Sequence, residues 1–126
     1  MELNKIYNEN CLETMARMPD NFIDLTVTSP PYDNLRNYKG FTFEFEKVAQ
    51  ELYRVTKEGG VVVWVVGDAT INGTETGSSF IQALHFKNIC GFNLHDTCIF
   101  KKKNPMPQNH NRLDQCFEYM FVFSKG

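Results

Sequence analysis

The sequence lacks any apolar run long enough to cross a membrane. The longest, Val61–Val66, has six residues, whereas a membrane-spanning helix needs about 20. The N-terminal stretch also lacks the apolar core of a signal peptide. From these two absences we expect a cytoplasmic protein with no membrane partner.

Closely spaced cysteines are missing as well. The four cysteines are scattered, with no Cys-x-x-Cys pair, at Cys11, Cys90, Cys98 and Cys116. Zinc sites and disulfide frameworks have tighter patterns. The pattern therefore predicts free, mostly buried thiols in a reducing compartment and no metal site.

A strong excess of one charge is also absent, since the net charge is −2 over 126 residues. This argues against a protein whose whole surface binds nucleic acid. A local basic loop exists, however, with a charge of +4 and no acidic residue, contributed by Lys101, Lys102, Lys103 and Arg112. We expect these four residues to make any contacts with nucleic-acid phosphates. The alternative is a solvated hairpin tip.

What is present is enough apolar material for one folded domain, because 42% of the residues are hydrophobic. Helical spacing predicts helices at Cys11–Met18, from Phe45 to a close at Gly59-Gly60, and around Ser79–Asn88. Apolar and β-branched runs predict strands at Leu3–Tyr7, Phe22–Thr28, Val61–Val66, Asn93–Phe100 and Cys116–Phe123. Of these, Phe22–Thr28 is expected to be buried, and Val61–Val66 to be buried on both faces. This order predicts a doubly wound α/β sheet whose last two strands are antiparallel, because no crossover helix joins them.

The tetrapeptide Ser29-Pro30-Pro31-Tyr32 follows a predicted strand, at the edge where α/β sheets bind ligands. An exocyclic amino group on a base is a poor nucleophile, because its lone pair is delocalised into the ring. Two acceptors for its N–H groups would free that lone pair, and the Ser29 side chain and the Pro30 carbonyl can supply them. Proline rings hold the carbonyl rigidly, and Tyr32 offers a ring face to a flipped base. Taken alone, the tetrapeptide also fits a stiff turn or a proline-rich peptide ligand.

Gly67-Asp68 ends the next strand at the same edge. We expect Asp68 either to border the same cleft or to cap the helix that follows. His85 and His95 are expected to be structural.

Four segments resemble the DNA amino methyltransferases in order and spacing. Thr28–Tyr32 resembles motif IV of that family, and the other three segments are Asn10–Leu25, Leu52–Gly60 and Ile99–Pro107. The resemblance implies part of a Rossmann-like sheet, mostly parallel with a C-terminal antiparallel pair. It also implies S-adenosyl-L-methionine as cofactor, double-stranded DNA with a flipped base as substrate, and Ser29, Pro30, Pro31 and Tyr32 as catalytic residues.

The resemblance also indicates which residues contact the cofactor and which base is methylated. It implies that Asn10, Cys11 and Ser29 contact the cofactor, although Glu9-Asn10 stands where the family commonly has Gly-Asp. A serine at position 29 resembles the cytosine-N4 enzymes, whereas adenine-N6 enzymes usually have Asp or Asn there. Enzymes that methylate protein glutamine or RNA guanine usually have Asn and carry their cofactor motif upstream.

Two family features are missing from the sequence, the glycine-rich cofactor motif and the target-recognition region. Gly73–Gly77 contains glycines but does not follow a predicted strand. We therefore expect residues 1–126 to form a single, incomplete catalytic domain. Its partner would be a C-terminal half or a second copy bound through an exposed sheet edge at Phe22–Thr28. The alternative function is an inactive half-domain.

Overall fold

The structure is a computed structural model, and it describes residues 1–31, 43–103, 112–113 and 115–126. Its helices are α1 (Cys11–Ala16), α2 (Phe45–Val55) and α3 (Ser78–His85), and a π-helical turn at Phe86–Cys90 follows α3. Its strands are β1 (Ile23–Thr28), β2 (Thr56–Val66), β3 (Thr70–Ile71), β4 (Thr74–Glu75), β5 (Asn93–Lys101) and β6 (Phe117–Ser124).

Four strands form one sheet in the order β1-β2-β6-β5, and β3 and β4 form a separate small hairpin. β1 runs parallel to β2, whereas β6 runs antiparallel to both of its neighbours. The α/β class and the antiparallel C-terminal pair are therefore confirmed. The parallel majority expected for the whole sheet is not present in this part of it, because β6 inserts between β2 and β5.

One face of the sheet carries the hydrophobic core. Val62, Trp64 and Val66 alternate along β2 on this face, and each is at most 1% exposed. Phe86 of the π-helical turn lies over them and is fully buried. Its ring centroid is 4.9 Å from that of Trp64 and 4.7 Å from that of Phe123. The Trp64 indole N–H donates to Gln82 Oε1 at 2.9 Å, which satisfies its buried donor.

The opposite face of the sheet, which we call the second face, is apolar but not buried within the described residues. On β2 it presents Val61, Val63 and Val65, all partly exposed. On β1 it presents Leu25 and Val27, which are 58% and 65% exposed. The expectations that Val61–Val66 is buried on both faces and that Phe22–Thr28 is buried were therefore wrong for this part of the chain. The three helices pack only on the face that carries Val62, Trp64 and Val66.

Helix α2 ends at Val55, not at Gly59-Gly60 as expected. Thr56 is already extended, at φ −75° and ψ 133°, and it pairs with Ile23. The two glycines instead lie where the register between β1 and β2 shifts. Gly59 has a φ of +81°, and a Cβ at Gly60 would lie 2.7 Å from Thr56 Cγ2. Only glycine fits both positions without strain or displacement.

Other predictions at the ends of elements and on the cysteines need correction. The predicted strand Leu3–Tyr7 is irregular, and α1 ends at Ala16 rather than at Met18. Among the cysteines only Cys90 is buried, and the other three are exposed; burial raises the pKa of the Cys90 thiol. No helix in the described residues is long and apolar enough to cross a membrane, and those residues hold no group of three or more potential metal ligands.

Candidate active site

The Ser29–Tyr32 tetrapeptide begins directly after β1. Ser29 is exposed, Pro30 is buried and Pro31 is partly exposed, whereas Tyr32 lies outside the described residues. Burial of the Pro30 ring fixes the backbone at this point, since proline already restricts φ to about −65°. The structure thus places the exposed Ser29 directly before a buried proline whose ring restricts the backbone.

The carboxyl ends of β1 and β2 lie at the same edge of the sheet. The two strands are parallel, and Thr28 is paired with Trp64, two residues before β2 ends. Ser29-Pro30 and Gly67-Asp68 therefore leave the sheet side by side. This is the edge at which open α/β sheets bind ligands.

Asp68 caps a helix at this edge. Its Oδ1 accepts a hydrogen bond from the Ser79 backbone N–H at 2.7 Å, and its Oδ2 accepts one from the Ser79 hydroxyl at 2.6 Å. Ser79 is fully buried in the first turn of α3. Asp68 therefore caps α3 from outside the helix, whose own N-cap residue Gly77 makes no side-chain cap hydrogen bond. Its role at the border of the cleft stays a prediction.

Asn10 and Cys11, the expected cofactor contacts, start helix α1. The Asn10 side-chain carbonyl accepts from the Leu12 backbone N–H at 2.9 Å, so Asn10 is the N-cap. Cys11 is the first helical residue, and both residues are exposed. The cap hydrogen bond uses the oxygen of the Asn10 amide, and the amide nitrogen, a donor, takes no part in it.

Glu9, the residue before Asn10, forms an ion pair with Arg17. The Arg17 guanidinium donates to the two carboxylate oxygens of Glu9, at 2.9 and 2.5 Å, and also to the Glu13 carbonyl. This bond with Arg17 lowers the pKa of Glu9 and raises the pKa of Arg17. Sequence reasoning missed this pair, because the two residues flank helix α1 at an eight-residue separation, which is not a spacing at which ion pairs form within a helix.

A second arginine that sequence reasoning missed joins α1 to α2. Arg54 Nη1 donates to the Met18 carbonyl at 2.8 Å, and Nη2 donates to the Met15 carbonyl at 2.7 Å. Glu51 holds the guanidinium from within α2, and its hydrogen bond is the main cause of the raised pKa of Arg54. Arg54 therefore ties the C-terminal end of α1 and the turn after it to α2; the Met15 carbonyl also accepts from the Met18 backbone N–H at 2.9 Å.

The four basic residues expected to bind phosphates lie in different surroundings. Lys101 and Lys103 are exposed. Lys102 Nζ lies 3.4 Å from Glu118 Oε1, which partly offsets its charge. Arg112 donates to the Gly73 carbonyl in the β3–β4 hairpin. The loop between them, residues 104–111, lies outside the described residues.

Solved structures share this fold. The chain superposes with a TM-score of 0.79 on PvuII DNA methyltransferase (cytosine-N4-specific), with 21% identity, covering 95% of this chain and 48% of that one. It superposes with a TM-score of 0.73 on the putative DNA modification methylase TTHA0409 from Thermus thermophilus, solved in complex with S-adenosyl-L-methionine, with 26% identity, covering 92% and 51%. The fold is thus that of known DNA methyltransferases.

Sequence comparison gives the family. A model described as DNA methylase matches residues 23–126, and the chain therefore belongs to the DNA methylase family. It is 70% identical over 104 residues to the orphan methyltransferase M.BamHII of Bacillus amyloliquefaciens. That match covers 82% of this chain but 39% of M.BamHII. The chain thus spans about two fifths of M.BamHII and about half of each of the two solved structures.

Proposed function

We propose that this chain forms the target-amino side of a DNA methyltransferase that transfers a methyl group from S-adenosyl-L-methionine to an exocyclic amino group, cytosine N4. The observation that carries the proposal is the exposed Ser29 beside the buried Pro30, at the carboxyl edge of β1. The family match supports the reaction class. We expect the enzyme to act on double-stranded DNA in the cytoplasm.

In this proposal the chain supplies two hydrogen-bond acceptors for the reacting amino group. The Ser29 hydroxyl oxygen and the Pro30 carbonyl each accept one N–H, which draws the nitrogen toward tetrahedral geometry and frees its lone pair. Because Pro30 is held by burial and by its ring, the carbonyl needs no reorganisation during the reaction. Tyr32 is proposed to stack on the flipped base, and Pro31 to stiffen the turn between them.

S-adenosyl-L-methionine supplies the electrophilic methyl group when bound. Asn10, Cys11 and Ser29 are proposed to contact it. The Asn10 amide nitrogen is a donor suited to the nitrogen and oxygen acceptors of an adenosine, and its direction is fixed because its oxygen caps α1. TTHA0409, at 26% identity, binds the same cofactor in its structure.

The choice of cytosine N4 over adenine N6 rests on Ser29 alone. A serine at this position resembles the cytosine-N4 enzymes, whereas the adenine-N6 enzymes usually have Asp or Asn there. Adenine N6 is therefore the second candidate.

Phosphate binding is proposed for the four basic residues, with Lys101 and Lys103 contributing most. Both are exposed, whereas Lys102 lies near Glu118 and Arg112 is bonded to a carbonyl. Replacing Lys101 or Lys103 by Ala should reduce the salt dependence of DNA binding, by a slope of about 0.9 for each phosphate that is no longer neutralised on duplex DNA.

The test measures methylation of duplex DNA with labelled S-adenosyl-L-methionine, followed by digestion to nucleosides. The 126-residue chain is assayed alone and with the part of M.BamHII that lies outside the match. We expect label in N4-methylcytosine, strongly reduced in Ser29→Ala and kept in the matched control Ser78→Ala. Label in N6-methyladenine would favour the second candidate. Full activity of Ser29→Ala would refute the site.

A further inference from the structure

The aromatic side chains of β6 form a row that leads out of the hydrophobic core toward the carboxyl edge of β2. Phe117, Tyr119, Phe121 and Phe123 alternate along the strand, and successive ring centroids are 5.3, 5.5 and 6.2 Å apart. Phe123 and Phe121 are 0% and 4% exposed, whereas Tyr119 and Phe117 are partly exposed. The row therefore begins in the core and ends at the surface.

Phe80 of α3 adds another ring to the exposed end of this row. Its ring centroid is 5.4 Å from that of Tyr119, at an interplanar angle of 62°, and Phe80 is 49% exposed. Ile99 of β5 is the register partner of Tyr119 on the same face, and it is 54% exposed. We call Phe80, Ile99, Phe117 and Tyr119 the aromatic surface. A contiguous exposed patch of this kind marks a binding surface more often than single exposed apolar residues do.

A lysine adjoins the aromatic surface. Lys101 is exposed and is the register partner of Phe117, so both side chains lie on the same face of the sheet. Glu118, the single acidic residue of β6, lies on the second face because side chains alternate along a strand, and there it pairs with Lys102 at 3.4 Å. Glu118 therefore does not offset the charge of Lys101. Exposed rings next to a cation are the combination that binds single-stranded nucleic acid, through stacked bases and a phosphate contact.

We propose that the aromatic surface binds unpaired nucleotides of a DNA strand, with Phe80 and Tyr119 stacking on bases and Lys101 contacting a phosphate. Every base has a face that stacks on an aromatic ring, so this binding needs no particular sequence. In a closed duplex the base faces are covered by the neighbouring pairs, and the ligand is therefore a strand with unpaired nucleotides. The inference rests on the proposed function only in taking DNA as the ligand, since it requires neither the cofactor nor methyl transfer.

The aromatic surface lies at the same edge of the sheet as the candidate site but outside it. Tyr119 pairs with Val66, the last residue of β2, and Ser29 directly follows β1 on the other side of β2. Neighbouring strands are about 4.8 Å apart, so β6 lies about 10 Å from β1. A DNA strand that enters the site at Ser29 can thus continue along this edge to the aromatic surface.

A protein partner fits the surface less well than a nucleic acid. The buried centres of protein interfaces are depleted in lysine, whereas Lys101 stands directly beside Phe117. The same argument applies to a second copy of this chain. A phosphate contact instead uses the charge of Lys101.

The test measures binding of a labelled oligothymidine of about 12 nucleotides, within the usual range of site sizes, to the 126-residue chain by fluorescence anisotropy without cofactor. A closed duplex of the same length is the second ligand. We expect Phe80→Ala and Phe80→Leu to weaken binding of the single strand at least about fivefold, the lower end of the loss per stacked base, and to leave duplex binding unchanged. Phe80→Leu keeps an apolar side chain, so it tests for the ring itself. The matched control Ile89→Ala, in the π-helical turn and 70% exposed, should change neither affinity.

Two further variants report the contacts directly. Phe80→Trp should retain the affinity, and its fluorescence should be quenched by oligothymidine. Trp64 is 1% exposed, so we expect no such quenching in the unsubstituted chain. Lys101→Ala should lower the salt slope of single-strand binding by about 0.7, the value for one phosphate. Circular dichroism checks that each variant folds.

Three outcomes would overturn the proposal. One is the absence of oligothymidine binding up to about 100 μM, the weak end of non-specific nucleic-acid binding. Another is unchanged affinity in folded Phe80→Ala and Phe80→Leu, together with no quenching in Phe80→Trp. The third is a homodimer in sedimentation that Phe80→Ala dissociates, since the surface would then bind a second copy. Loss of methylation with the quenching retained would count against the proposed function alone.

Discussion

The ring of Phe86 lies at the centre of a cluster of aromatic rings in the core. It is fully buried and contacts four other rings, of which those of Trp64 and Phe123 are nearest. Phe86→Leu removes three carbons, and at about 0.8 kcal/mol per buried methylene this amounts to about 2 kcal/mol. Part of the edge-to-face attraction, about 0.5–1.5 kcal/mol per pair, disappears as well. We expect the free energy of unfolding to fall by about 2–3 kcal/mol.

Urea denaturation followed by tryptophan fluorescence measures this loss, since Trp64 is the single tryptophan and its ring packs against Phe86. With a slope of about 2 kcal/mol per molar urea, the midpoint should fall by about 1 M. Phe80→Leu is the matched control: Phe80 is 49% exposed, and we expect a change of about 0.5 kcal/mol or less. Equal losses in the two variants would refute the assignment of the core to this face of the sheet.

Three other contacts lead to measurable expectations. Gly60→Ala should lower the free energy of unfolding by about 1–3 kcal/mol, because its Cβ has no space; an unchanged urea midpoint would contradict that crowding. Cys90 should react with iodoacetamide more slowly than exposed Cys11, because burial limits access and raises its pKa; peptide mass spectrometry would show this, and equal rates would count against it. The lowered pKa of Glu9 means that its ion pair stabilises the fold above the unfolded pKa and that this stabilisation disappears as the pH falls through the folded pKa. In Arg17→Gln the carboxyl titration of Glu9 by NMR should move upward, and no movement would refute the pairing.

The sequence predicted the elements whose patterns are local. Helical spacing located α1, α2 and α3, and the apolar run at Val61–Val66 located the C-terminal half of β2. The start of β2 was less predictable, because Thr56 becomes extended through pairing with Ile23, a partner 33 residues away. Gly59-Gly60 look like a helix terminator in the sequence, and only the register shift between two strands shows their actual use.

The position of the candidate site was predictable from the sequence, but the side-chain contacts that hold the neighbouring elements were not. The order of strand and Pro-Pro turn indicates that Ser29 lies at the carboxyl edge, and the structure places it there. The Glu9–Arg17 pair and the Arg54 contacts to α1 were not predictable, because they join segments whose spacing follows no period. Asp68 could not be assigned from sequence either, since a carboxylate after a strand fits both a cleft and a cap.

The place of β6 in the sheet has a consequence for synthesis of the chain. β6 is the last of these strands to leave the ribosome, yet it lies between β2 and β5. Until residues 117–124 have been made, β2 lacks one neighbour and β5 has none in this sheet. The apolar part of β2, Val61–Val66, therefore stays unpaired on one side until its partner, about 60 residues downstream, has been made. Long-range pairing of this kind is slow and leaves strand edges exposed. During synthesis the edge of β2 that later pairs with β6 is consequently open to pairing with other chains until residues 117–124 have been made.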